Sequence, residues 1–340
     1  MSEIVEIDFF LEHRNSLPVI DVRSPMEYNY AHIPQAENVP LFTDEQRAII
    51  GIIYKKSGKE AAIEKALALV SPNLSNIVAQ VKIIAKEEKK VLIHCWRGGM
   101  RSESVGWLLE TVGFKPFILK GGYKSFRKFV LESFAKPYKL LVLGGYTGSQ
   151  KTEILSQLKK KGHQVIDLEA LAHHRGSAFG HINQLPQPSV EWFENELAVQ
   201  LYQLSDNQPI WVEDESINIG KIGIPTSFYN QMREATVVFL DIPKSQRIEH
   251  LVNSYGTFPK NELSDSILRI QKRLGGLETK NALFALQHND LHTVADILLS
   301  YYDKTYVNGL NKRPVEKIIK IQSTENLLNA LENCYYNHNS

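Results

Sequence analysis

Residues 89–113, KKVLIHCWRGGMRSESVGWLLETVG, constrain the fold more than any other stretch of the chain. An apolar run ending at His94 reads as a buried strand; Val105, Leu108, Leu109 and Val112 then fall on one face of a helix that Gly113 closes. Between them HCWRGGMRS, His94 to Ser102, puts a cysteine where a strand gives way to a helix. Unpaired N–H groups and the positive end of the helix dipole converge at such a junction. Gly98 and Gly99 let the loop wrap tightly, and Arg97 and Arg101 add positive charge, so the loop makes a cradle for an anion above a reactive sulfur. Cys95 and Arg101 are the candidate catalytic pair, and Trp96, Arg97, Gly98 and Gly99 the anion-binding loop. The anion that fits is phosphate, thiosulfate, selenophosphate or a persulfide.

A second strand, loop and helix follow in YKLLVLGGYTGSQKTEILSQLKKKGHQVIDLEA, with Ile154, Leu155 and Leu158 facing inward and Gly162 as the stop. Gly145, Lys151 and Thr152 fall on the G-x4-G-K-[ST] phosphate-loop pattern, with Gly148 inside it, while Gln150 stands where the second glycine belongs. A side chain resists the backbone conformation glycine takes there, a preference of about 1 kcal/mol. Phosphate or diphosphate binding through Lys151 and the loop amides is therefore expected, ATP turnover is not, and magnesium is left open. Two more apolar strands, PIWVEDES and ATVVFLDIP, end in acidic residues, giving a parallel sheet with crossover helices. Acidic strand ends are where such a fold places magnesium or substrate groups, so Asp167, Glu169 and Asp214 are candidate contacts, with Glu213 and Glu215 beside Asp214. His174 and Arg175 in AHHRGSAFG join them as candidate anion or RNA contacts; two adjacent histidines do not readily share a metal, and no metal site is expected.

At 340 residues and 43% hydrophobic content the chain divides into two domains, residues 1–135 with a helical insertion at about 42–90, and residues 136–340. A net charge of +1 supplies no global field for nucleic acid, so any RNA contact is local. The best such patch is KSFRKF, where Lys124, Arg127 and Lys128 alternate with Tyr123, Phe126 and Phe129. The two cysteines, Cys95 and Cys334, lie far apart, which excludes a disulfide framework and fits a reducing cytoplasm. No apolar run comes near the roughly 18 residues of a membrane span, and no membrane association is expected. ENCYYNHNS at the end reads as a frayed tail, with no chemistry for Cys334.

HC-x5-RS matches the signature of tyrosine and dual-specificity phosphatases, so the loop alone leaves phosphate-ester hydrolysis and sulfur or selenium transfer both open. The segment before it, DVRSPMEYNYAHIPQAENVP, resembles the amino-terminal signature of the rhodanese superfamily through Asp21, Arg23, Glu27, Tyr28, His32, Ile33, Pro34, Ala36, Asn38 and Pro40, residues suited to turns and core. That signature, the insertion, HCWRGGMRS, LKGGYKSFRKFV, GGYTGSQKT, DLEALAHHRGSAFG and VEDESINIGKIGIP, in this order, resemble the tRNA 2-selenouridine synthase family from about Asp21 to about Pro225. The resemblance implies an α/β chain, an N-terminal rhodanese-like domain with a helical insertion followed by a P-loop NTPase-like parallel α/β domain. It implies a cytoplasmic transferase that converts 2-thiouridine to 2-selenouridine at the tRNA wobble position. Selenophosphate and geranyl diphosphate would be its co-substrates, S-geranyl-2-thiouridine its intermediate, and a selenophosphate-supplying enzyme a partner. The alternative is a rhodanese-like phosphatase fused to a kinase-like P-loop domain.

Overall fold

The computed structural model describes residues 2–322 and 327–339 and divides the chain into two units. One comprises Met1–Ser133 and Glu194–Val199, the other Phe134–Phe193 and Gln200–Ser340.

The first unit runs β1 (Glu3–Val5), α1 (Ile7–His13), β2 (Val19–Asp21), α2 (Pro25–Tyr30), β3 (Glu37–Asn38), α3 (Asp44–Val70), α4 (Leu74–Ala85), β4 (Lys90–His94), α5 (Met100–Thr111), β5 (Lys115–Leu119) and α6 (Gly122–Ser133). Its five strands are parallel in the order β1-β5-β4-β2-β3, with Ile20 opposite Ile93 and Leu92 opposite Phe117. Central β4 is buried from Val91 onward, which is why it reads as an unbroken apolar run. Val105 and Leu109 of α5 pack on Ile20, Ile93 and Ile118; Val112, past the end of α5, is exposed instead of facing inward. The turn after β2 and the cysteine loop after β4 leave the same edge of neighbouring strands, the usual position for a site in an open parallel sheet.

The insertion is helical. A capping box between Thr43 and Gln46 starts α3, which kinks at Gly58, and a 3-10 turn at Ser71–Asn73 separates it from α4. By length and composition alone, residues 44–85 hold one 18-residue window apolar enough to cross a membrane, with mean hydropathy 1.3, contrary to the expectation that none comes near. That helical stretch is broken at Gly58 and at Ser71–Asn73, and Ile77, Val81 and Ala85 are buried in the core.

The second unit, with part of α9 counted in the first, runs β6 (Leu140–Gly145), α7 (Lys151–Lys160), β7 (Gln164–Ile166), α8 (Leu168–Leu171), α9 (Val190–Gln203), β8 (Ile210–Glu213), the β9–β10 hairpin (Asn218–Ile219, Ile222–Gly223), α10 (Thr226–Glu234) and β11 (Thr236–Leu240). Helices α11 (Lys244–Tyr255), α12 (Lys260–Arg269), α13 (Gln271–Leu274), α14 (Gly276–Gln287) and α15 (Leu291–Leu310) follow, then β12 (Ile318–Ile321) and α16 (Leu327–Asn339). The strands are parallel in the order β12-β11-β6-β8-β7. The expected frayed tail is part of this core. Leu331 and Tyr335, one helical turn apart on α16, are buried against the sheet with Leu155, Trp211 and Ile321, and burial pushes the Cys334 thiol up.

Candidate active site

Cys95 sits at the floor of its loop, 3% exposed, with Sγ 3.3 Å from the Ser102 hydroxyl and 3.9 Å from the Gly99 carbonyl. The N–H groups of residues 96–101 make no backbone hydrogen bond among the described residues, so the loop that carries the sulfur keeps its backbone donors unengaged. A second glycine turn holds this loop in shape. Gly98, Gly121 and Gly122 all take positive φ, and a Cβ on Gly122 would lie 2.3 Å from the Cys95 carbonyl oxygen and 2.5 Å from the Gly98 nitrogen. The N–H groups of Tyr123 and Lys124 donate to Cys95 and Trp96 at 2.8 and 3.0 Å. KGGY is therefore half of the cysteine site, a role no spacing rule in the sequence announces.

Arg101 does not stand free over the loop. Its guanidinium donates to Glu27 at 2.8 Å, with Arg47 on the other Glu27 oxygen at 4.0 Å. Burial pushes the Glu27 carboxyl up, but Arg101 and the Ser24 amide outweigh it and hold it low. Glu27 thus aims the candidate catalytic arginine, beyond its role in the α2 capping box. Its companions are structural as expected. Asp21 accepts from Arg23 at 2.6 Å, Arg23 lies 3.8 Å over the Tyr123 ring, and Asn38 donates to the Asp21 and Arg23 carbonyls. His94 is wholly buried with Nε2 3.6 Å from Asp21, beyond hydrogen-bond reach; burial pushes its pKa down to about 4 although Asp21 pulls the other way. Trp96 and Arg97 form the exposed rim.

In the second unit the P-loop leaves β6 with Gly145 and Gly148 at positive φ. Gln150 adopts the left-handed conformation, φ 60° and ψ 29°, that glycine takes freely, so the chain holds the loop shape at the residue's own cost. The N–H groups of Thr147, Gly148, Gln150, Lys151 and Thr152 make no backbone hydrogen bond among the described residues, and Lys151 Nζ donates to the Gly145 carbonyl at 2.9 Å. This is an anion cradle with its lysine folded across it. Ser149, which sequence reasoning passed over, is buried with an unpartnered hydroxyl facing Gly145.

Among the acidic candidates the structure brings Glu169 to the P-loop, where Thr152 donates to it at 3.2 Å, together with Glu213 and Glu215. Burial raises all three carboxyls; their mutual repulsion adds to this at Glu213 and Glu215, while Lys151 opposes it at Glu169 and Glu215. Asp214, just past the end of β8, is engaged elsewhere: it accepts from Arg313 at 2.7 Å and from the Tyr306 hydroxyl at 2.6 Å, and that tyrosine accepts from the Gly145 N–H at 3.1 Å. Through Tyr306 it supports the P-loop backbone at Gly145. Asp167 caps α8 by accepting from Ala170. Gly176 lies against Glu169 and Glu215, Arg175 on the same loop is exposed and hydrogen-bonds Tyr255, and His174 is buried with Nδ1 unpartnered. Among the described residues no group of three or more His, Cys, Asp or Glu is arranged to hold a metal.

The basic patch on α6 is only partly what its sequence promises. Arg127 is engaged by Glu194 and by Asn195 at 2.6 Å, so its charge is already paired within the first unit. Tyr123 and Phe126 are fully buried and offer no face to a base. Lys124 and Lys128 are exposed, the latter 3.7 Å from Glu132.

A parallel sheet carrying a cysteine loop, joined in one chain to a parallel sheet carrying a P-loop, defines a rhodanese-like domain fused to a P-loop NTPase-like domain. Family models agree: residues 8–129 match the rhodanese-like domain and residues 138–336 the tRNA 2-selenouridine synthase AAA domain. The chain belongs to the tRNA 2-selenouridine synthase family. It is 37% identical over 348 residues to the tRNA 2-selenouridine synthase of Shewanella denitrificans, covering 92% of each chain. To that of Bdellovibrio bacteriovorus it is 33% identical over 355 residues, covering 90% of this chain and 92% of the relative. To that of Nitrosomonas europaea it is 39% identical over 245 residues, 70% of this chain and 63% of the relative.

Proposed function

We propose that the protein modifies the wobble uridine of tRNA, replacing the sulfur of 2-thiouridine with selenium from selenophosphate by way of an S-geranyl intermediate. In the first step the 2-thio sulfur attacks C1 of geranyl diphosphate; the new S–C bond forms as the C–O bond breaks and diphosphate leaves. The alkylated sulfur is then a good leaving group: the selenium of selenophosphate attacks C2 of the base, the C2–S bond breaks as geranylthiol departs with a proton, and water cleaves the P–Se bond to release phosphate and leave 2-selenouridine.

The observation that carries this reading is the presence, in one chain of this family, of a buried thiol on a loop of unengaged amides and of a lysine-bearing phosphate loop. Lys151, Thr152 and the loop amides suit the diphosphate, whose charge they offset as it leaves. Cys95 suits the selenium step, with Arg101 and the amides of residues 96–101 holding the anionic donor. The alternative, a rhodanese-like phosphatase fused to a kinase-like P-loop domain, shares both loops, and the match of residues 138–336 to the tRNA 2-selenouridine synthase AAA domain disfavours it. The test is nucleoside mass spectrometry after incubating the protein with 2-thiouridine tRNA, selenophosphate and geranyl diphosphate. The wobble nucleoside should become 2-selenouridine; nitrophenyl phosphate hydrolysis with unchanged tRNA would favour the phosphatase instead.

A further inference from the structure

Asn195 of α9 is fully buried, and both ends of its amide are committed. Arg127 can only donate, and it does so to Oδ1 at 2.6 Å, which turns the amide nitrogen the other way. That nitrogen donates to the Tyr123 hydroxyl and to the His32 carbonyl, each at 2.8 Å. Glu194–Val199 follow the P-loop in the chain yet belong to the first unit.

The two donated bonds reach two sides of the cysteine site. Tyr123, also fully buried, gives its N–H to the Cys95 carbonyl at 2.8 Å. Its ring lies 6.3 Å from that of His94 and 5.6 Å from that of Trp96, centroid to centroid, so it packs on the residues either side of Cys95. Arg23 stands 3.8 Å over the same ring and donates to the Ala31 carbonyl at 2.8 Å. The next carbonyl, that of His32, is the one Asn195 holds, and both follow α2, whose Glu27 aims Arg101. One amide therefore ties the turn beside the sulfur to the segment that carries Glu27. A carboxylate at this position would accept without donating, and an aliphatic side chain would do neither.

We infer that Asn195 is a positioning residue for the cysteine site: by fixing the Tyr123 hydroxyl it holds the loop that carries Cys95 in its reactive shape. The inference rests on the reading of Cys95 as the residue of the selenium step, and adds a side chain from beyond the P-loop on which that step depends.

The full chain is compared with Asn195→Ala, Tyr123→Phe and the double variant in two assays, iodoacetamide labelling of Cys95 and Cys334 and modification of 2-thiouridine tRNA. Breaking one buried hydrogen bond favours local opening by about tenfold. Each single variant should label Cys95 about tenfold faster and form 2-selenouridine about tenfold more slowly, with Cys334 labelling and geranylation within about twofold of the parent. Because the two substitutions break one bond, the double variant should match Asn195→Ala; effects that multiply would mean that Asn195 does not act through Tyr123. Labelling of Cys95 should also stay flat in urea below the unfolding transition, since a local opening exposes little surface. A rate that climbs with urea from the start marks unfolding of the unit and overturns the inference. Tyr123→Phe breaks the same bond from its other end by removing a single hydroxyl, and decides alone if Asn195→Ala does not fold. A parent that forms no 2-selenouridine overturns the selenium reading, and the labelling still tests Asn195. A parent that forms it, with variants that label and selenate at its rate, overturns the positioning role and leaves that reading standing.

Discussion

Gly122→Ala strikes at the cysteine site without touching the cysteine. The new Cβ would meet the Cys95 carbonyl oxygen at 2.3 Å, the Gly98 nitrogen at 2.5 Å and the Arg97 nitrogen at 2.9 Å, all backbone atoms that no side-chain rotation can move aside. Relief requires the KGG turn and the cysteine loop to part, which breaks the Tyr123 and Lys124 N–H bonds to Cys95 and Trp96. Those two bonds contribute about 1–3 kcal/mol together, and an alanine at φ 59° costs roughly 1–2 kcal/mol more. A loss of about 2–5 kcal/mol follows. Urea unfolding measures it, and the rate of iodoacetamide labelling of Cys95, now nearly inaccessible, should rise as the loop opens. Gly113→Ala serves as comparison, since its positive φ is matched by open space around the Cβ. If Gly122→Ala unfolds within 0.5 kcal/mol of the parent, or no more easily than Gly113→Ala, the claim that the two glycine turns form one site is wrong.

Further outcomes follow from the geometry. His94 stays neutral in the fold down to about pH 4 while the unfolded chain takes up its proton near 6.5, so this one group withdraws about 3 kcal/mol of stability as pH drops through that window. The raised carboxyls Glu169, Glu213 and Glu215 act in the opposite sense, so the His94 contribution is read as the stability difference between the parent and His94→Leu in unfolding at stepped pH: it should shift against the parent by about 3 kcal/mol between pH 6.5 and 4, and a pH-independent difference would refute it. Asp214→Asn should cost about 3 kcal/mol by leaving the buried Arg313 without its charge partner; a thermal melt indistinguishable from the parent would refute this supporting role. Lys124→Glu with Lys128→Glu should lower the slope of log affinity for tRNA against log salt by about 2, whereas Arg127→Ala should mainly destabilise the first unit; an unchanged slope removes α6 from the RNA surface.

What the sequence discloses and what it hides divide along the range of the interaction. Strands β4 and β6, helices α5 and α7 and the two glycine loops are written in local periodicity and turn chemistry, and the structure keeps them with their inward residues except Val112. Partner choice is not local. Glu27 and Arg101 meet across 74 positions, and Arg127 meets Asn195 across 68, so a free-looking arginine and a supposedly structural glutamate exchange roles. The different surroundings of Glu213, Asp214 and Glu215 are set by partners distant in sequence: Glu213 and Glu215 meet Glu169, while Asp214 meets Tyr306 and Arg313. The buried end of α16 was missed because its apolar positions, Leu331 and Tyr335, are diluted by asparagines and charge.

The central claim is that two loops divide two chemical steps. Wobble nucleosides from 2-thiouridine tRNA treated with geranyl diphosphate alone, and then with selenophosphate added, should be resolved by mass spectrometry for the parent, Cys95→Ala and Lys151→Ala. The account predicts that Cys95→Ala accumulates S-geranyl-2-thiouridine without selenium, while Lys151→Ala forms little of the geranylated base. Selenation by Cys95→Ala at the parent's rate, or undiminished geranylation by Lys151→Ala, would contradict it.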